Sequence, residues 1–124
     1  MELEKKGLYE HFVPVCVSVE NLISDLVVII KNTSRDSRVI VGVGVIEKAW
    51  QLHERLTRAG RVKPKLKVLG DAVIDLDILR SKIRVAYETG AMPNKTKRRI
   101  FRQLAEIGAF VGAWYKQERE RSNR

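Results

Sequence analysis

Apolar residues recur at three- and four-residue intervals in four stretches of this chain, and only a few residues separate one stretch from the next. A period of 3.6 places such positions on one face of a helix, so each stretch has one side to bury and one to leave in water. Connections this short leave no length for a crossover and force consecutive helices to reverse direction. The pattern predicts an all-α fold, an antiparallel up-down-up-down four-helix bundle. It forms one domain over residues 1–124, with helices near 8–30, 35–59, 64–89 and 93–119.

In the first stretch Leu8, Phe12, Val15/Cys16, Val19, Leu22/Ile23, Leu26 and Ile29/Ile30 share a stripe. Pro14 demands either a kink or a first turn beginning close to it, because proline costs about 3 kcal/mol inside a helix. Val13, Val17, Val27 and Val28 fall off the stripe, an apolar excess that another subunit should cover. Thr33 with Asp36, or Ser34 with Ser37, can cap the second helix. The run Val39 to Ile46 suits a strand as well as a helix; the continuation favours helix, with Ile46, Ala49/Trp50, His53 and Leu56 in phase and Gly60 as the stop. Pro64 is placed to open the third helix, in which Leu66, Leu69, Val73, Leu76, Leu79/Arg80, Ile83 and Ala86/Tyr87 are in phase, and Gly90 ends it. Asp71, Asp75 and Asp77 look like an acidic cluster for a metal, but Asp77 points away from the other two, and a solvated face or pairing with Lys67, Arg80 and Lys82 is the better reading.

Charge separates the two ends of the sequence. Residues 1–33 hold three basic against five acidic side chains, whereas residues 94–124 hold nine against three, in a chain of net charge +9. Such asymmetry predicts salt-sensitive attraction to nucleic acid or an acidic partner. Three clusters of bases are the candidates: Lys63, Lys65 and Lys67 opening the third helix; Arg80 and Arg84 one turn apart; and Lys95, Lys97, Arg98, Arg99 and Arg102 opening the fourth. Contacts of this kind hold phosphate without reading bases, so the expectation is recognition of folded RNA or an RNA/DNA hybrid by shape and charge. Each arginine has a blander alternative, a surface ion pair worth roughly 0–1 kcal/mol, and Arg80 or Arg84 can instead bridge subunits. Along the fourth helix Ile100, Leu104, Ile107, Gly108, Val111, Gly112 and Trp114/Tyr115 form the apolar face. Gly108, Gly112 and Trp114 there are a packing surface: glycines four apart let backbones approach, and each costs about 1 kcal/mol in a helix without such a neighbour.

Other chemistry finds little footing. His11 and His53 have no Ser or Cys partner in the sequence, and a lone Cys16 in an apolar run is expected to be buried and inert, with no disulfide to form. Gly42-x-Gly44 lacks the third glycine of a dinucleotide loop, and Gly60-Arg-Val-Lys63 has no preceding strand. No catalytic residue, metal or cofactor is expected. The longest apolar run is too short to span a bilayer, and the N-terminus has no secretory pattern, so the expected location is the cytoplasm.

Leu79-Arg80-Ser-Lys-Ile83-Arg84-Val-Ala86, followed after a break by Glu106-Ile107-Gly108-Ala-Phe-Val-Gly112-Ala-Trp114, resembles the four-helix-bundle accessory variability determinants of diversity-generating retroelements. Arg38 with an apolar triplet and Gly42 resembles the opening of that family's second helix. The same superfamily holds proteins encoded by intervening sequences of 23S ribosomal RNA genes. The first resemblance implies a non-catalytic, ring-like homopentamer that binds a reverse transcriptase and its template RNA during mutagenic retrohoming. The second implies an RNA- or ribosome-associated, or purely structural, oligomer.

Overall fold

A computed structural model describes residues 13–123. Leu8, Phe12 and His11 of the sequence reading lie outside the described residues. Helix α1 runs Val13–Lys31. Helix α2 is continuous over 35–59 but changes pitch, as a short α turn Arg35–Ser37, a π-helical turn Arg38–Gly42 and a regular segment Val43–Ala59. Helix α3 runs Leu66–Glu88, and α4 runs Lys97–Ser122 after a 3₁₀ turn Asn94–Thr96. Among the described residues there is no strand. Sequential neighbours pack on one another and α4 closes back on α1, giving the antiparallel four-helix bundle.

Each turn is held by identifiable groups. Pro14 is the second residue of α1, where its missing N–H has no intrahelical partner to lose, so the first-turn alternative holds. At the far end of α1 the exposed carbonyls are satisfied: Asn32 Nδ2 donates to Val28 O at 2.8 Å, Thr33 Oγ1 to Ile30 O at 2.7 Å, and Arg38 Nη1 to the carbonyls of Lys31 and Thr33 at 3.2 and 3.0 Å. Ser34 then caps α2, its Oγ accepting from Ser37 N at 3.2 Å. Lys65 Nζ donates to Ala59 O at 2.8 Å and Val62 O at 3.3 Å, closing the turn between α2 and α3. Gly90, at φ 77°, supplies the left-handed residue that ends α3.

The core stripe is α1 Val15, Val19, Leu22 and Leu26; α2 Val45, Ala49, Leu52 and Leu56; α3 Leu69, Ala72, Leu76, Leu79 and Ile83; and α4 Ile100, Leu104, Ile107, Val111 and Trp114. Several sequence expectations need correction against it. Of the Ala49/Trp50 pair, Ala49 is buried and Trp50 is 50% exposed, and His53 packs at the interface with α1 rather than in the core, its Nε2 meeting Glu20 Oε2 at 2.9 Å. Leu52 fills the position instead. Helix α3 starts at Leu66 rather than Pro64. Val39–Ile46 is helical, yet begins in a π turn whose last residue, Gly42, is buried so closely on Ile30 that any Cβ there would collide with the Ile30 side chain.

The aspartates are also arranged differently from the sequence reading. Asp75 is 6% exposed and is gripped from α2, its Oδ1 by Lys48 Nζ at 2.9 Å and its Oδ2 by Arg55 Nε at 3.2 Å. Asp71 lies 3.8 Å from the same Arg55, and only Asp77 pairs with a predicted partner, Arg80, at 3.6 Å. Asp71 and Asp75 are inter-helix fasteners. Cys16 is buried with Sγ 3.8 Å from Thr57 Oγ1, and burial pushes its thiol pKa up, as expected of an inert cysteine.

Candidate nucleic-acid interface

Antiparallel packing of α3 on α4 decides which of the predicted bases share a surface. Tyr87 reaches Thr96 by a 2.9 Å hydroxyl contact and lies 5.9 Å, ring to ring, from Phe101. Thr96 Oγ1 also bonds Pro93 O at 2.8 Å and has a single proton to give, so the Tyr87 phenol is the donor to Thr96. Two turns before Tyr87 on α3, Arg80 Nη2 donates to Leu104 O at 3.4 Å. Arg84, between Tyr87 and Arg80, therefore stands level with the first turns of α4. Arg84, Lys95, Lys97, Arg98 and Arg102 are all exposed, and none of them is ion-paired among the described residues. They form one cationic end of the bundle.

Lys97, Arg98 and Arg99 sit where the helix macrodipole is positive, and α4 has no acid in its first turn. Three bases at that terminus work against helix stability by a few tenths to about 1 kcal/mol each. Their charges instead add to the positive end of the macrodipole to give a strong positive potential, the arrangement that attracts phosphate. Lys31 and Arg35, both exposed, reach the same end because α1 finishes and α2 starts there. Neither stands out in the sequence, where no cluster of bases surrounds them; folding the first hairpin in two would have found them.

The other predicted bases divide. Arg99 leans 3.8 Å from Asp25, which also accepts from Gln103 Nε2 at 2.7 Å, so it helps join α4 to α1. Arg80 lies across Gly108, where an added Cβ would collide with its guanidinium, and braces α3 against α4. Lys63, Lys65 and Lys67 occupy the opposite end, about 33 Å away along α3 at 1.5 Å per residue. Lys65 is tied into the turn, and desolvation lowers its pKa. Lys63 and Lys67 remain exposed. The three clusters are thus not one surface.

The packing trio divides as well. Trp114 is buried in the core and Gly108 admits Arg80, but Gly112 is exposed with nothing within 4 Å of a built Cβ. Gly112 has no neighbour inside the described chain. Gly112→Ala should therefore gain up to about 1 kcal/mol of helix stability, read as a higher melting temperature of the separated subunit. A loss of stability in that subunit would show that the glycine is required by the fold itself.

Residues 15–118 match the bAvd-like family model. The chain belongs to the bAvd-like family. That family is one of accessory, non-catalytic proteins of the Avd type, associated with diversity-generating retroelements. No curated protein and no solved structure matches the chain. In this bAvd-like bundle no helix among the described residues is long and apolar enough to cross a membrane. A polar depression of about 300 Å³ on α2 is lined by Gln51, Glu54, Arg55 and Arg58, with both arginines ion-paired to acids. It offers neither a nucleophile nor an unpaired cation.

Proposed function

We propose that this bAvd-like protein is a non-catalytic accessory factor of a diversity-generating retroelement. It acts in the cytoplasm as a homo-oligomer, a pentameric ring on the family's pattern, and binds the reverse transcriptase together with its template RNA or the RNA/DNA hybrid. The reading rests on family membership joined to one feature, the end of the bundle where Arg84, Lys95, Lys97, Arg98 and Arg102 are exposed and unpaired among the described residues. Guanidinium and ammonium groups at a helix N-terminus position phosphates and carry no base-edge code. Binding should follow the shape and charge of a folded RNA more than its sequence.

The test is a titration of the purified protein with labelled template RNA at several salt concentrations, and a pull-down with the retroelement's reverse transcriptase. Four or five phosphate contacts give a log–log salt slope of about −3 to −4.5. Absence of RNA binding at low salt, with no retention of the polymerase, would overturn the reading.

A further inference from the structure

We infer that Asp25 of α1 competes with phosphate for Arg99, holding back one cation from the RNA site at the end of the bundle. The inference rests on the proposed RNA binding and deepens it by naming a contact that the RNA has to displace.

Arg99 belongs to the cationic row by position. It follows Lys97 and Arg98 in the first turn of α4, and Arg102, three residues on, shares its flank. Lys97, Arg98 and Arg102 are exposed and unpaired among the described residues, whereas Arg99 Nε lies 3.8 Å from Asp25 Oδ2. The same oxygen accepts from Gln103 Nε2 at 2.7 Å, so the carboxylate bridges two successive turns of α4 on its α1 side. A carboxylate and a phosphate offer a guanidinium the same partner, a pair of anionic oxygens matched to its N–H fork. Asp25 is thus an intramolecular rival of the phosphate.

The two contacts of Asp25 differ in strength, and the difference makes Arg99 exchangeable. Gln103 is held at hydrogen-bond distance, and its Oε1 is buried with no partner among the described residues. Arg99 is beyond hydrogen-bond distance, and the side chains of the pair are 57% and 37% exposed, so it trades partners at small cost. Arg80 and Arg55 are fixed more firmly: Arg80 donates to Leu104 O and lies across Gly108, and Arg55 Nε is bonded to the buried Asp75. Freed from Asp25, Arg99 can follow the usual lean of helical side chains toward the helix N-terminus, where Lys97 and Arg98 stand. Exchanging the carboxylate for a phosphate leaves Asp25 to collect a counterion, so the exchange releases no net ion. Without the carboxylate, the same contact releases one.

Asp25→Asn removes the rival charge and keeps an amide oxygen for Gln103. Affinity for labelled template RNA should rise about two- to fivefold, and the log–log salt slope should steepen by up to about 0.7 to 0.9. Asp25→Ala, which has no acceptor for Gln103, should shift binding in the same direction, and a folding defect cannot raise affinity. Loss of any acid strengthens RNA binding somewhat, and Arg99→Gln separates that effect from competition. Alone, Arg99→Gln should weaken binding less than about twofold; in the Asp25→Asn background it should cancel both the gain and the steeper slope. A gain that persists beside Arg99→Gln, or no gain in either Asp25 variant, would overturn the competition while leaving the RNA reading standing. Failure of the wild type and of both Asp25 variants to bind RNA at low salt would overturn both.

Discussion

Replacing Lys97, Arg98 and Arg102 together by glutamate should abolish measurable binding of template RNA at physiological salt, a weakening of about 100-fold or more. Each side chain at the cationic end is exposed and unpaired among the described residues, so each is available to a phosphate. Three lost contacts at about 1 kcal/mol apiece already amount to more than 100-fold, and the reversed charges add repulsion. The salt slope should flatten by about 2 to 3 units, since each phosphate contact contributes roughly 0.7 to 0.9. Stability supplies an internal control. The first turn of α4 then exchanges two bases for two acids at the positive end of the macrodipole, which favours the helix by a few tenths to about 1 kcal/mol each. The variant should melt no lower than the wild type, so lost binding cannot be assigned to unfolding. Arg99 is left alone because Asp25 engages it. The same replacement at Lys63 and Lys67, at the far end, should weaken binding far less. Unchanged affinity in a folded triple variant would remove the cationic end as the RNA site.

What the sequence made legible was periodicity and punctuation. Val15, Val19, Leu22 and Leu26 announce a buried face by spacing alone, and they are the buried face of α1. Ser34 announces a cap because a hydroxyl before a helix has one obvious acceptor role, and it fills that role. The phase of α2 was harder to see. An extra residue in the π turn Arg38–Gly42 shifts the start of the helix relative to the segment from Val43 to Ala59, and no residue type in Val-Ile-Val-Gly specifies such a shift. The spacing left Ala49 and Trp50 as a pair for a related reason: both fit the phase, and only the packing shows that the small alanine is the interior residue while the tryptophan stays half-exposed. Charged side chains were least legible, because their roles depend on the partner helix. Lys97 and Arg98 remain exposed while Arg99 turns to Asp25, though all three are adjacent in sequence.

Asp75 is where that partner dependence has its largest energetic consequence. Asp75→Ala should destabilise the bundle by about 2–3 kcal/mol, somewhat below the roughly 3–5 kcal/mol typical of breaking a buried ion pair. The discount reflects the bonds that survive the substitution. Lys48 Nζ keeps its 3.0 Å bond to Gln51 Oε1, and Arg55 keeps Asp71 at 3.8 Å. The loss is the 2.9 Å carboxylate partner of an ammonium only 15% exposed, together with the tie between α2 and α3. For a chain of this size it corresponds to about a 10 °C fall in melting temperature, readable by circular dichroism. Asp71→Ala, at a carboxylate 40% exposed, should change stability by less than about 0.5 kcal/mol. A double variant, Asp75→Leu with Lys48→Leu, separates the causes. If the penalty comes from an orphaned buried charge, removing both charges restores most of the stability, because an apolar pair has no charge to desolvate. If the double variant melts as low as Asp75→Ala, the geometry of the hydrogen bonds across α2 and α3 matters more than the charge. A single variant that melts with the wild type would mean that apolar packing of Ala49, Leu52 and Leu56 against Leu76 and Leu79 holds the two helices together unaided.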